Sequence, residues 1–363
     1  MFIPRDFSQP AVRREWIAAL LGPLPERRWE EMTSELFGWQ FARVPEFRRL
    51  CEGHGVSPAT LRSWRDIPAM PQQLFKRAKL FAHGDAKPST TYETSGTTTG
   101  EPGRQHLLHA DIYEAVCVDG ARRIGLFNGT PEFHFIATSP HEAPHSSLSA
   151  MFGFWNRAAA KNRGRFWMGA EDFVELRGVL ARTGKPVALC GTAFGFIHFL
   201  DSLAGRELPL PDGSWLLETG GFKGRSREIP KPELYAQLAR TFCVSDRAIW
   251  NEYGMSELSS QAYARGAAGP HTTPLWARVL VVDPATGREV PRGREGLVRW
   301  IDLANVDSVL ALQTLDRAKR TTRGFRLIGR LPRTEPRGCS LGVEDLLAMN
   351  SRSANRAAQG GRP

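Results

Sequence analysis

A chain of 363 residues, 41% of them hydrophobic, with a net charge of +10, is long enough to bury one large core or two ordinary ones. Its mixed composition excludes a disordered chain, and no apolar run has the length that crosses a bilayer. The start MFIPRDFSQP lacks the basic beginning and apolar stretch of a signal peptide, and five scattered cysteines form no C-x-x-C pair. A cytoplasmic protein with reduced thiols is the expectation.

Taken along the chain, the first sixty-odd residues repeat Trp, Arg, Glu and Leu at helical spacing, as in REWIAALLG and ERRWEEMTSELFGWQFARV. That spacing predicts two or three helices broken at Gly22-Pro23 and Gly53-His54-Gly55. Next comes YETSGTTTGEPGR (Tyr92–Arg104), behind a strand-like stretch. Glycines bring backbone N–H groups close to phosphate oxygens, and hydroxyls add donors around the same anion. The segment is not the Lys-containing P-loop, and a plain Ser/Thr/Gly surface loop is the competing reading.

FHFIATSP (Phe133–Pro140) and PVALCGTA (Pro186–Ala193) read as buried parallel strands, and AEDFVELRGVLARTG and PELYAQLARTFCVS as amphipathic helices between strands. Such alternation predicts an α/β architecture. His141-Glu142-Ala143-Pro144-His145 matches the H-E-x-x-H zinc signature in letters. Pro144 argues against the helix that would put both imidazoles on one face. WNEYGMSE (Trp250–Glu257) follows a strand-like stretch. Tyr253 suits stacking on a purine, Gly254 permits a close turn, and Glu257 suits a hard cation such as Mg²⁺, although an ordinary strand-to-helix turn reads the same.

After Pro274, ARVLVVDPATGREVPRGREGLVRWIDL reads as antiparallel strands with turns at Asp283–Gly287 and Pro291-Arg292-Gly293. Arg317 to Arg337 is basic, with Glu335 its only acid. A solvated face and a phosphate pocket both fit it, and no nucleic-acid-binding motif accompanies the charge, so no nucleic-acid partner is expected. Residues 350–363, NSRSANRAAQGGRP, read as a disordered tail.

Together the two glycine-containing segments resemble the acyl-adenylate-forming, AMP-binding superfamily. PAMPQQLFKRAKLF, ETGGFKGRSRE, NEYGMSELSSQAY and RGCSL make the chain similar, from about Ile67 to Leu347, to the LuxE-type acyl-protein synthetases of fatty acid reductase complexes. The resemblance implies an adenylate-forming, acyl-CoA synthetase-like fold using ATP and Mg²⁺. Residues 1–65 would be an N-terminal helical region, 66–330 the adenylating α/β core with an antiparallel part at about 275–330, and 331–349 a short segment in place of the usual lid domain. Thr94, Ser95, Gly96, Thr97, Thr98 and Gly100 would cradle phosphates. Thr219, Gly220 and Gly221 would form the turn beside adenine, with Tyr253 and Gly254 opposite and Glu257 on the metal. Asp316 and Arg330 would hold the ribose diol.

The resemblance further places an acceptor thiol at Cys339, where Arg333 and Arg337 favour the thiolate and Gly338 leaves the sulfur accessible. The other four cysteines sit in apolar or helical contexts. No lysine follows Arg330, so the usual lid lysine is missing from its place, and Lys223 or the Arg-rich segment itself would compensate. The ribose segment departs from the usual pattern by reading T-L-D where T-G-D is common. His145 would lie near the acyl carboxylate. The implied substrate is a long-chain fatty acid or other carboxylic acid, and the implied partner an acyl reductase or acyl carrier. Two alternatives stay open: a ligase that charges coenzyme A or a carrier protein with Cys339 structural, and a nucleotide-binding protein without turnover.

Overall fold

The computed structural model describes residues 5–94, 101–129, 131–220 and 229–331. In chain order come α1 (Pro10–Leu21), α2 (Glu26–Arg43), α3 (Pro45–Gly53), β1 (Met70–Pro71), β2 (Thr90–Glu93) and β3 (Arg104–Leu107). Then follow α4 (Asp111–Arg123), β4 (Glu132–Ile136), α5 (Ser147–Ala158), β5 (Arg165–Phe166), α6 (Ala170–Arg182), β6 (Val187–Thr192) and α7 (Ala193–Ser202). The next are β7 (Trp215–Thr219), α8 (Lys231–Phe242), β8 (Ile249–Tyr253) and β9 (Ala262–Arg265). The last described elements are β10 (Ala277–Val282), β11 (Glu295–Asp302), β12 (Ala311–Thr321) and β13 (Gly324–Arg330). Of the two or three helices expected at the N-terminus three are present, as are the buried middle strands and the late antiparallel strands.

Packing gathers these elements into two compact units that are not consecutive in sequence. Described residues 5–91, 103–109 and 275–331 make one unit, and those between 92 and 102 and between 110 and 274 make the other. The N-terminal helices thus share a unit with the antiparallel strands from the far end of the chain.

In that first unit β10, β11, β12 and β13 pair antiparallel in sequence order, and β1 joins β12 in parallel. The turn after β10 forms where expected. Asp283 Oδ1 accepts from the backbone N–H of Ala285 and Thr286, and Gly287 takes a φ of +67°, a conformation open mainly to glycine. The helices attach through apolar residues spaced three and four apart, such as Trp16 with Leu20 and Trp29 with Met32. Their polar atoms are satisfied across the unit. Trp16 Nε1 donates to Leu303 O at 2.9 Å, and the Gln40 amide donates to Asn305 O while accepting from Leu310 N, both at 2.7 Å.

The second unit is a sheet in the order β5-β4-β6-β7-β8-β9, parallel throughout except for β9. From β4 the chain steps outward to β5 and then returns past β4 to β6, so the winding reverses between β4 and β6. Ligands of open α/β sheets bind beyond the carboxyl ends of the strands at such a reversal. One face is covered by α6, α7 and α8, with Phe173, Leu176, Ile197, Phe199, Leu234 and Leu238 against Val187, Leu189 and Leu216. On the other face Phe152 of α5 lies 5.1 Å, centroid to centroid, from Phe135 of β4. Burial on both faces explains why these strands read as unbroken apolar runs.

Candidate active site

Three segments that the sequence singles out meet by hydrogen bonds at the carboxyl edge of the second unit. The backbone N–H of Glu93, last residue of β2, donates to His145 O at 2.9 Å. Its carbonyl accepts from Ser256 Oγ at 3.1 Å, and Ser256 Oγ lies 3.3 Å from Ser147 Oγ at the start of α5. The entry to the Ser/Thr/Gly segment, the His-containing segment after β4 and the Y-G-M-S-E segment after β8 are thus adjacent. Thr94 is half-buried just beyond this junction, while His145 itself is exposed and takes part through its carbonyl.

β7 and β8 run parallel with Thr219 opposite Glu252 and Glu218 opposite Asn251. Alternation along the strands sends Thr219 and Glu252 to one face and Glu218, Asn251 and Tyr253 to the other. On the first face the Thr219 hydroxyl donates to the Glu252 carboxylate. A Cβ on Gly254 would meet that same carboxylate, so a larger residue there would require the Glu252 side chain to move. On the second face Asn251 Nδ2 donates to Glu218 Oε2 at 2.7 Å, and Tyr235 of α8 donates to the same oxygen at 3.3 Å. Burial pushes both carboxyls up, Glu218 to about 7 and Glu252 to about 7, despite these donors. Beyond β7, Gly220 is exposed with a φ of +74°.

Glu257 is only 7% exposed, in the turn that leads from β8 toward the antiparallel β9. The segment is therefore a strand-to-strand connection, not the strand-to-helix turn also considered. Its carboxylate is the kind of hard oxygen donor that Mg²⁺ takes.

In the first unit Asp316 of β12 and Arg330 of β13 are direct cross-strand partners, with Arg330 Nε 3.7 Å from Asp316 Oδ1. Their pairing follows from the register, although fourteen positions separate them in sequence (330 − 316 = 14). Ser95, Gly96, Thr97, Thr98, Gly100, Gly221, Lys223 and Cys339 lie outside the described residues.

The zinc-like letters form a turn, as Pro144 requires. Ser139 N and Oγ donate to Glu142 Oε2, and Glu142 N donates back to Ser139 Oγ. Cys51, Cys117 and Cys190 are buried, whereas Cys243 is not. It is exposed at the end of α8 with a φ of +53°, because the helix stops there in a left-handed cap. A cavity of about 510 Å³ lined by Cys243, Trp215 and Arg265 opens at the amino end of the parallel strands, away from the junction. Its place, opposite the edge where α/β sheets bind ligands, sets it apart from the candidate site.

Sequence reasoning passed over Glu218, Glu252, Asn251 and His271. Two acids and an amide inside otherwise apolar strands, LLET and IWNEY, are the signal that marks the first three, while no such signal marks His271.

No protein-family model matches the chain. Over 350 residues it is 20% identical to the long-chain-fatty-acid–luciferin-component ligase of Vibrio harveyi, spanning 90% of this chain and 91% of that one. Its fold is similar to 2-hydroxyisobutyryl-CoA ligase bound to the acyl adenylate in the postadenylation state, at a TM-score of 0.63 and 17% identity over 84% of this chain and 68% of that one. An open conformation of the same ligase matches at a TM-score of 0.62 and 16% identity, over 88% and 79%.

The architecture is thus the α/β fold that these ligase structures share. The likeness in sequence to the Vibrio ligase runs over nearly the whole of both chains. Among the described residues no helix is long and apolar enough to cross a membrane.

Proposed function

We propose that this chain uses ATP to activate a long-chain fatty acid as its acyl-AMP and then passes the acyl group to the thiol of Cys339. The observation that supports it is the junction of Glu93, His145 and Ser256, which gathers the three segments of the resemblance at one sheet edge. The acid's carboxylate would attack the α-phosphorus of ATP and expel pyrophosphate. The Cys339 thiolate would then attack the acyl carbonyl and expel AMP, with no further activation because the mixed anhydride is already reactive. Thr94 to Gly100 would cradle the phosphates, Gly220, Gly221 and Tyr253 would flank adenine, and Asp316 with Arg330 would bind the ribose. Glu257 would hold Mg²⁺, which supplies charge neutralisation at the phosphates. Lys223 would steady charge developing on the α-phosphate, and His145 would border the carboxylate. The acceptor after Cys339 would be an acyl reductase.

Acid-dependent exchange of labelled pyrophosphate into ATP tests the first step. Exchange should be supported by long-chain acids and lost in Glu257→Ala. Labelled acid with ATP should leave a hydroxylamine-sensitive label that Cys339→Ser loses while keeping exchange. Undiminished label in that variant, or its rapid transfer of acyl groups to coenzyme A, would exclude the cysteine step. Absence of exchange with every acid would leave a nucleotide-binding protein.

A further inference from the structure

His271 follows β9 in a Gly-Pro-His-Thr-Thr segment that no motif picks out, yet it is 1% exposed. Its Nε2 lies 2.7 Å from Asn251 Oδ1. Asn251 Nδ2 already donates to the Glu218 carboxylate, so Oδ1 is the acceptor and Nε2 must carry the hydrogen. The tautomer of His271 is set by that chain of donors. Its ring meets the ring of Tyr253 edge-on, centroids 6.0 Å apart at 71°, an arrangement aromatic pairs favour. β8 thus supplies both ends of a bracket. Asn251 holds the imidazole and the imidazole borders the phenol two residues on, while Glu218 of β7 anchors the amide and Tyr235 of α8 in turn donates to Glu218.

We infer that His271, held by Asn251 and Glu218, is a positioning residue that fixes the ring of Tyr253 for nucleotide stacking. The inference rests on the proposed role of Tyr253. An imidazole so constrained does not itself need to touch ATP. Its contribution is to remove the freedom that Tyr253 would otherwise lose on binding, which strengthens binding more than it speeds the chemistry.

The test compares AMP and ATP binding by calorimetry with pyrophosphate exchange, in full-length protein. His271→Ala should weaken AMP binding and raise KM for ATP about tenfold, as expected for losing one hydrogen bond and one aromatic contact, with kcat changed far less. His271→Gln, whose amide can still donate to Asn251, should recover part of the AMP affinity. Circular dichroism and a thermal melt on each variant separate this from failure to fold, and the Gln variant remains informative if the Ala variant does not fold. Wild-type AMP affinity in a folded His271→Ala, alongside lost affinity in Tyr253→Ala, would overturn the positioning role. Wild-type affinity in Tyr253→Ala would instead overturn the nucleotide pocket itself.

Discussion

Each unit buries a carboxylate beside polar partners, and the two solve the problem differently. In the antiparallel unit Asp307, 3% exposed, faces Arg13, which is 0% exposed, with Nη1 2.6 Å from Oδ1 and Nη2 3.2 Å from Oδ2. His83 Nε2 and the backbone of Leu108 complete the set at 2.7 and 3.1 Å. Burial alone would raise the Asp307 carboxyl, but His83 and Arg13 outweigh it and hold the group below its ordinary range. In the parallel unit burial wins at both Glu218, although Lys231 lies near enough to oppose it and Tyr235 and Asn251 donate to it, and Glu252, to which Thr219 donates. Full charge compensation marks a clasp, and incomplete compensation leaves two acids that titrate near neutral pH.

The largest effect should come from breaking the clasp. Arg13→Leu leaves Asp307 buried without its main countercharge and should cost about 3–5 kcal/mol in denaturant unfolding. A loss under 1 kcal/mol would make the clasp incidental.

The comparison sharpens with pH, because the two units respond in opposite senses. Asp307 is depressed in the fold, so its stabilisation is present above the ordinary carboxyl range and lost as pH falls below about 4. Glu218 and Glu252 are raised, so the folded state keeps protons that the unfolded chain gives up, and stability falls as pH rises from about 4.5 to 7. Glu218→Gln should flatten that fall by roughly 1–3 kcal/mol between pH 5 and pH 8. An unchanged slope would place the proton elsewhere. Smaller still, Thr219→Val removes the hydroxyl donor to Glu252 and should cost about 1 kcal/mol at pH 5, with a larger penalty at pH 8 where the carboxylate must ionise without it. Equal losses at both pH values would mean the hydroxyl does not serve the charge.

Much of the fold is legible because it is local. Helical spacing gives α1 to α3, apolar runs give β4 and β6, and Asp283 with Gly287 gives the turn after β10. What escapes is register and long-range packing. Nothing in WNEYG says that Asn251 stands opposite Glu218, or that a histidine twenty residues later closes on it. Tyr253, Gly254 and Glu257 stand out by residue type, whereas the buried groups behind them become visible only when β7 and β8 are laid side by side.

The clasp also bears on how the chain is made. Arg13 and Asp307 are 294 positions apart, and the whole parallel unit is encoded between them. At ribosomal speeds of about 5–20 residues per second, α1 waits roughly 15 to 60 s for its partner. During that interval Trp16 lacks the Leu303 carbonyl and Trp29 the Arg278 guanidinium that they meet in the fold, while the parallel unit can already condense as an insert. Chaperone dependence and the aggregation of nascent chains should therefore track the wait for the last strands, and slowing synthesis late in the message should aggravate both.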